Sequence, residues 1–94
     1  MCIDLIDKIR ALVEEGLNNE NYIELIDKCR EIIIEYKNNG GKQKDAYNTL
    51  IELHKLYDEK NMEKEYNLIG DVLDIIVGYV GNKKILIWEE YLKT

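Results

Sequence analysis

The chain has no proline and no phenylalanine, and in 94 residues it carries one histidine, one tryptophan and two cysteines. With no proline, no segment is kinked or ended by a ring that lacks an N–H. Cys2 and Cys29 carry no zinc-site or redox spacing. A bond between the two is not needed, and within a helical bundle Cys29 reads as a small buried hydrophobe. A single histidine, His54, leaves a His-based nucleophilic dyad dependent on a distant cysteine with no third group to orient it. There is no cysteine pair and no Glu-x-x-His array to hold a metal. Gly78-Tyr79-Val80-Gly81 lacks the following Lys-Ser or Lys-Thr of a phosphate loop. No catalytic residue, metal ligand or cofactor motif is therefore assigned.

Positive charge is also scarce. Thirteen lysines and arginines face nineteen aspartates and glutamates, a net charge of −6. The cations are interleaved with acids, as in Asp7-Lys8, Asp27-Lys28 and Glu63-Lys64-Glu65. Nucleic-acid binding needs a basic face that displaces phosphate counterions, so the charge argues against that class. An anionic membrane surface is disfavoured on the same ground. A basic protein partner is favoured, because opposite fields speed encounter; the bland alternative is that an acidic surface is simply soluble. Acids at Asp4 and Asp7 do not make a signal peptide. The longest apolar stretch, Val72 to Val80, is broken by Asp74 and Gly78 and is too short to span a bilayer. A cytoplasmic protein is expected.

What the sequence does have is helical periodicity. Hydrophobic residues make up 46% and charged residues 34%, enough for one domain with its own core. A stability of about 5–10 kcal/mol is expected. Cys2, Ile6, Ile9, Leu12 and Val13 form one stripe over a helix at about 2–15, with Gly16 as its left-handed cap. Asn21 reads as the N-cap of a second helix, with Glu24 reaching back in a capping-box variant. Its stripe is Ile23, Ile26, Cys29, Ile33 and Tyr36, widened by Leu25 and Ile32, and Asn38-Asn39-Gly40-Gly41 ends it. A third helix, about 43–60, carries Ala46, Tyr47, Leu50, Leu53, Leu56 and Tyr57. A fourth, about 62–80, opens on Asn61 and is apolar around most of its circumference, which marks it as the central element.

Gly81-Asn82 then ends the fourth helix. Lys83 to Thr94 fits a helix through Ile85, Trp88 and Leu92, or a strand through Ile85-Leu86-Ile87-Trp88. The helix is favoured, because a lone strand leaves its backbone groups unpaired. The fold expected is all-α, a compact bundle of four to five helices in a single domain spanning residues 1–94. Residues 3–19 repeat at 23–39 with nine of seventeen positions identical. That is either a duplicated helix or convergence of two amphipathic ones, and two units do not make a solenoid.

One polar strip interrupts the fourth helix. Asn67, Asp71, Asp74, Gly78 and Gly81 recur every three or four residues. It is either a solvated edge, with or without a neutralising lysine, or an acidic small-residue groove that captures a partner's lysine or arginine. Asp71, Asp74 and Tyr79 are the leading partner-binding residues, with Glu89 and Glu90 beside them. Trp88 and Tyr91 either dock the tail on the bundle or anchor an interface.

Three stretches carry a family resemblance. Glu24-Leu25-Ile26-Asp27-Lys28-Cys29, the Gly-Gly-x-Gln-x-x-Ala-Tyr at 40–47, and Leu73-Asp74-Ile75-Ile76-Val77-Gly78-Tyr79 leading to Ile87-Trp88 are similar to small helical immunity proteins. Those proteins accompany polymorphic toxins, including contact-dependent growth inhibition systems. The resemblance spans about residues 20–90 and implies a cytoplasmic protein that binds a cognate toxin, often a nuclease, and occludes its active site or substrate surface. It implies no enzymatic activity of its own. The alternative reading is a helical scaffold or regulatory adaptor that homodimerises; a third is an enzyme of unrecognised type.

Overall fold

The computed structural model describes residues 3–16, 18, 20–78 and 87–88. Four helices carry the chain: α1 (Ile3–Gly16), α2 (Tyr22–Asn38), α3 (Gln43–Glu59) and α4 (Glu63–Val77). Consecutive helices form two hairpins, α1 on α2 and α3 on α4, the second pair sharing the larger contact. The hairpins close on each other through α2 against α4 and α1 against α3. Each helix thus has two principal neighbours around a shared core. The helix expected to be central, α4, has the same two-neighbour arrangement as the others, but it contributes the most buried residues and shares the largest contact, with α3.

The core is a single cluster drawn from all four helices. Its buried members are Leu5, Ile9 and Val13 of α1, and Leu25, Cys29 and Ile33 of α2. Facing them are Ala46, Leu50, Leu53 and Tyr57 of α3, and Leu68, Ile69, Val72, Leu73, Ile75 and Ile76 of α4. Thr49 is buried among them, which the sequence stripe did not include. Its hydroxyl is satisfied within the helix, donating to the Asp45 carbonyl at 2.8 Å.

The repeat between the first two helices survives in three dimensions. Leu5, Ile9 and Val13 are buried, and so are their partners twenty residues on, Leu25, Cys29 and Ile33. This spacing of four recentres both faces. Leu5, absent from the expected stripe, is core. Ile23, expected to be core, is 70% exposed. At 100° per residue it lies about 200° around the helix from Leu25, so burying one turns the other outward.

The helix ends correct several capping expectations. Gly16 is the last residue of α1 and not left-handed. Asn21 does occupy the N-cap position of α2, but its side chain makes no capping bond. Its carboxamide turns back, accepting from the Asn18 N–H at 2.8 Å and donating to the Gly16 carbonyl. Asn18 in turn accepts from the Glu20 and Asn21 N–H groups. The side chains therefore stitch a tight turn between helices, and Glu24 pairs with Lys28 at 3.2 Å rather than reaching back.

Gly40 and Gly41 do end α2. Gly40 has φ +96°, its N–H meets the Lys37 carbonyl and the Gly41 N–H meets that of Tyr36, the paired bonds of a Schellman motif. Gly41 lies against the Tyr36 ring, where a Cβ would stand 2.3 Å from a ring carbon. Asn61 makes the same motif at the end of α3. It takes φ 58°, so it closes α3, and Met62 holds the N-cap position of α4. Asparagine is the non-glycine residue that tolerates this region best. Gly78, at φ +91°, ends α4 three residues before Gly81.

Ile87 and Trp88 lie in a bend. Ile87 is buried in the core, Trp88 is half-buried against it, and the Ile87 carbonyl accepts from Lys37 Nζ at 2.8 Å. Docking of Trp88 on the bundle is thus the outcome. The remainder of the expected fifth helix, including Tyr91, lies outside the described residues. No helix among the described residues is long and apolar enough to cross a membrane.

Candidate functional site

Asp71 and Asp74 sit one turn apart on α4, where side chains at i and i+3 are neighbours. Both are exposed, as is Asn67 on the same strip, while Gly78 is half-buried. Tyr79, Glu89 and Glu90, assigned to partner binding with them, lie outside the described residues, as does Gly81. The two aspartates therefore define the site.

The strip faces the α2 side of the bundle. There the Tyr22 hydroxyl, in the first turn of α2, donates to Asp71 Oδ2. That bond links α2 to α4. Burial, and then the bond to a carboxylate whose charge disfavours a second anion, raise the Tyr22 hydroxyl well above the ordinary phenol range. Tyr22 accordingly stays protonated and a donor.

Asp74 is raised above the ordinary carboxylate range, first by partial burial and then by the charge on Asp71. The pair is thus a site of excess negative potential. Among the described residues, ion pairs join Arg10 to Glu14, Lys28 to Glu24 and Lys55 to Glu52; none engages Asp71 or Asp74. A cation brought near the pair would offset both the burial and the repulsion that raise Asp74.

The sign of that effect sets a pH prediction. A carboxyl raised in the folded state stabilises the fold below its unfolded value, and this stability is lost as pH rises through the folded value. Asp74→Asn removes the loss. The variant is expected to melt higher than the parent at pH 7 and to match it below about pH 3.8, the ordinary value for this side chain. Scanning calorimetry at the two pH values reads the difference; equal melting at pH 7 would show that the charge on Asp74 costs the fold nothing.

Two other clusters bear on function. His54 stacks on Tyr66 across the α3–α4 contact, with ring centroids 3.9 Å apart and planes 10° from parallel. Gly70 lies beside the ring, where a Cβ would come into close van der Waals contact with Nε2 at 3.4 Å. Burial lowers the imidazole below its ordinary value, opposed by Asp58. His54 acts as a joint between helices. Elsewhere on α3, the buried Tyr57 donates to Glu14 of α1 at 3.0 Å, and Arg10 holds the same carboxylate at 2.6 Å. Arg10 keeps Glu14 below the ordinary carboxylate range despite some burial. The Cys29 thiol, fully enclosed, is pushed up to about 12 by burial, which leaves it a thiol and a poor nucleophile. Among the described residues no group of three or more His, Cys, Asp or Glu side chains is placed to hold a metal ion.

Sequence reasoning found the aspartates and missed their neighbours on α2. Tyr22 was not singled out, and Ile23 was assigned to the core. Aligning α2 with α1 by the repeat, and asking which residues both helices bury, would have turned Ile23 outward. Compared with known protein families, with curated proteins and with solved structures, the chain matches none.

Proposed function

We propose that this protein is an immunity protein, a binding partner that neutralises a basic toxin domain by covering its active site or substrate surface. One observation carries the reading: two carboxylates one turn apart, exposed on one helix and joined among the described residues by no ion pair, with Asp74 raised by partial burial and by the charge on Asp71. Nuclease toxins must gather phosphate with lysines and arginines, so an acidic pair of this kind complements their substrate surface. The net charge of −6 acts in the same direction at longer range. The resemblance of residues 20–90 to small helical immunity proteins supports it independently of the electrostatics. Inhibition would be steric and electrostatic, with no bond made or broken.

The test is co-expression with the reading frame next to the gene. A frame that stops growth alone, and stops doing so when this protein is supplied, is the expected result. A frame that is harmless alone defeats the proposal. Should the protein instead form a stable homodimer in solution and leave the neighbouring frame's effect unchanged, the scaffold reading takes its place.

A further inference from the structure

We infer that the partner-binding surface is the shared edge of α2 and α4, with Ile23 as its apolar anchor beside the Asp71–Asp74 pair, and that its occupant is a basic protein segment presenting an apolar pocket flanked by lysine or arginine. The inference rests on the protein-binding reading above and adds to it the half of the surface that carries no charge.

Ile23 is 70% exposed, the one large hydrophobic side chain so placed among the described residues. It follows Tyr22, whose hydroxyl is bonded to Asp71, and stands about 100° around α2 from it, so it flanks the edge on which the acidic strip lies. Ile26, one turn further and partly buried against the core, continues the aliphatic edge. The turn that leads into this edge is held by the Asn18–Asn21–Gly16 bonds, which fix the first turn of α2 before any partner arrives. Little ordering is then left for binding, and an apolar anchor on a preordered helix keeps more of its burial energy.

The commitment to a basic occupant follows from charge complementarity. An apolar probe alone would leave two adjacent carboxylates desolvated and unpaired. A segment with lysine or arginine beside its apolar pocket satisfies them while it covers Ile23. An acidic or neutral segment does not.

The probe is an 18-residue amphipathic peptide of lysine and leucine, titrated into isotopically labelled protein and followed by amide chemical shifts. Shifts at Tyr22, Ile23, Ile26, Asp71 and Asp74 are expected, with apparent affinity at least tenfold weaker for Ile23→Ser. Because Ile23 is mostly solvated, Ile23→Ser keeps the fold, and its circular dichroism checks this. A matching glutamate–leucine peptide should produce no such shifts. Shifts that fall instead on the α1 acids Asp4, Asp7 and Glu15, no shifts at all, or an Ile23→Ser variant that titrates like the parent each overturn the inference. The toxin reading fails separately: a peptide that maps to this edge, with a harmless neighbouring frame, leaves the surface standing and removes only the toxin.

Discussion

Tyr57→Ala should lower the free energy of unfolding by about 3–5 kcal/mol, the range for truncating a large aromatic in a packed core. Tyr57 is fully buried and among the largest such side chains in the protein. It reaches from α3 to Glu14 of α1, so its ring fills the core while its hydroxyl joins one hairpin to the other. Against a total of about 5–10 kcal/mol, the alanine variant is left marginal. Tyr57→Phe separates the two contributions. It keeps the ring and loses a bond to an exposed carboxylate that Arg10 and water still solvate, so its cost should fall near 1 kcal/mol. Urea unfolding followed by far-ultraviolet circular dichroism measures both. An alanine variant within 1 kcal/mol of the parent would mean that the ring is not enclosed as described.

The second large effect is on binding. If the protein binds a toxin as proposed, Asp71→Lys combined with Asp74→Lys should weaken that complex on the order of a thousand-fold or more. Truncating one partner of a close interfacial charge pair costs about 2–5 kcal/mol, and two reversals add repulsion to each loss. Both side chains are exposed, so the variant should fold, and the Tyr22 hydroxyl it releases is half-exposed and can be hydrated. The association rate should also depend less on salt, since the two reversals bring the net charge from −6 to about −2 and weaken the steering field. Surface plasmon resonance at 50 mM and 500 mM salt separates steering from contact. Unchanged affinity in a folded variant removes these aspartates from the interface. The neutral pair Asp71→Asn with Asp74→Asn should fall between parent and reversal, because amides keep hydrogen bonds and lose only charge.

Much of the fold was legible in the chain itself. The four helices appear where the period places them, and Gly40-Gly41 ends α2 as its composition requires. That legibility has a simple origin. Helical periodicity is written within about twenty residues, and the left-handed conformation that stops a helix is tolerated by few residue types. Register was less accessible. On α2 apolar residues occupy Ile23, Leu25, Ile26, Cys29, Ile32, Ile33 and Ile34, which surround most of the helix, so the pattern admits more than one buried face. Packing against α1 and α4 selected Leu25, Cys29 and Ile33 and left Ile23 in solvent. The same limit applied to the caps. Asn61 has the chemistry both of an N-cap and of a left-handed C-terminal residue, and the path of the chain between α3 and α4 chose the second.

The candidate site divides along the same line. Asp71 and Asp74 were found because their spacing on one helix is a local property. Tyr22 and Ile23 were missed because their place beside the aspartates depends on α2 meeting α4, some fifty residues apart in sequence. By itself, then, the sequence determined an all-helical fold, an acidic surface and a polar strip on an otherwise apolar helix, since each follows from composition or from a period of a few residues. Only the tertiary structure decided which aliphatic residues were left over once the core was full, and which helix edge they share with the acids. Burial is a competition among all apolar side chains for one limited interior, and its outcome is fixed by how the helices pack.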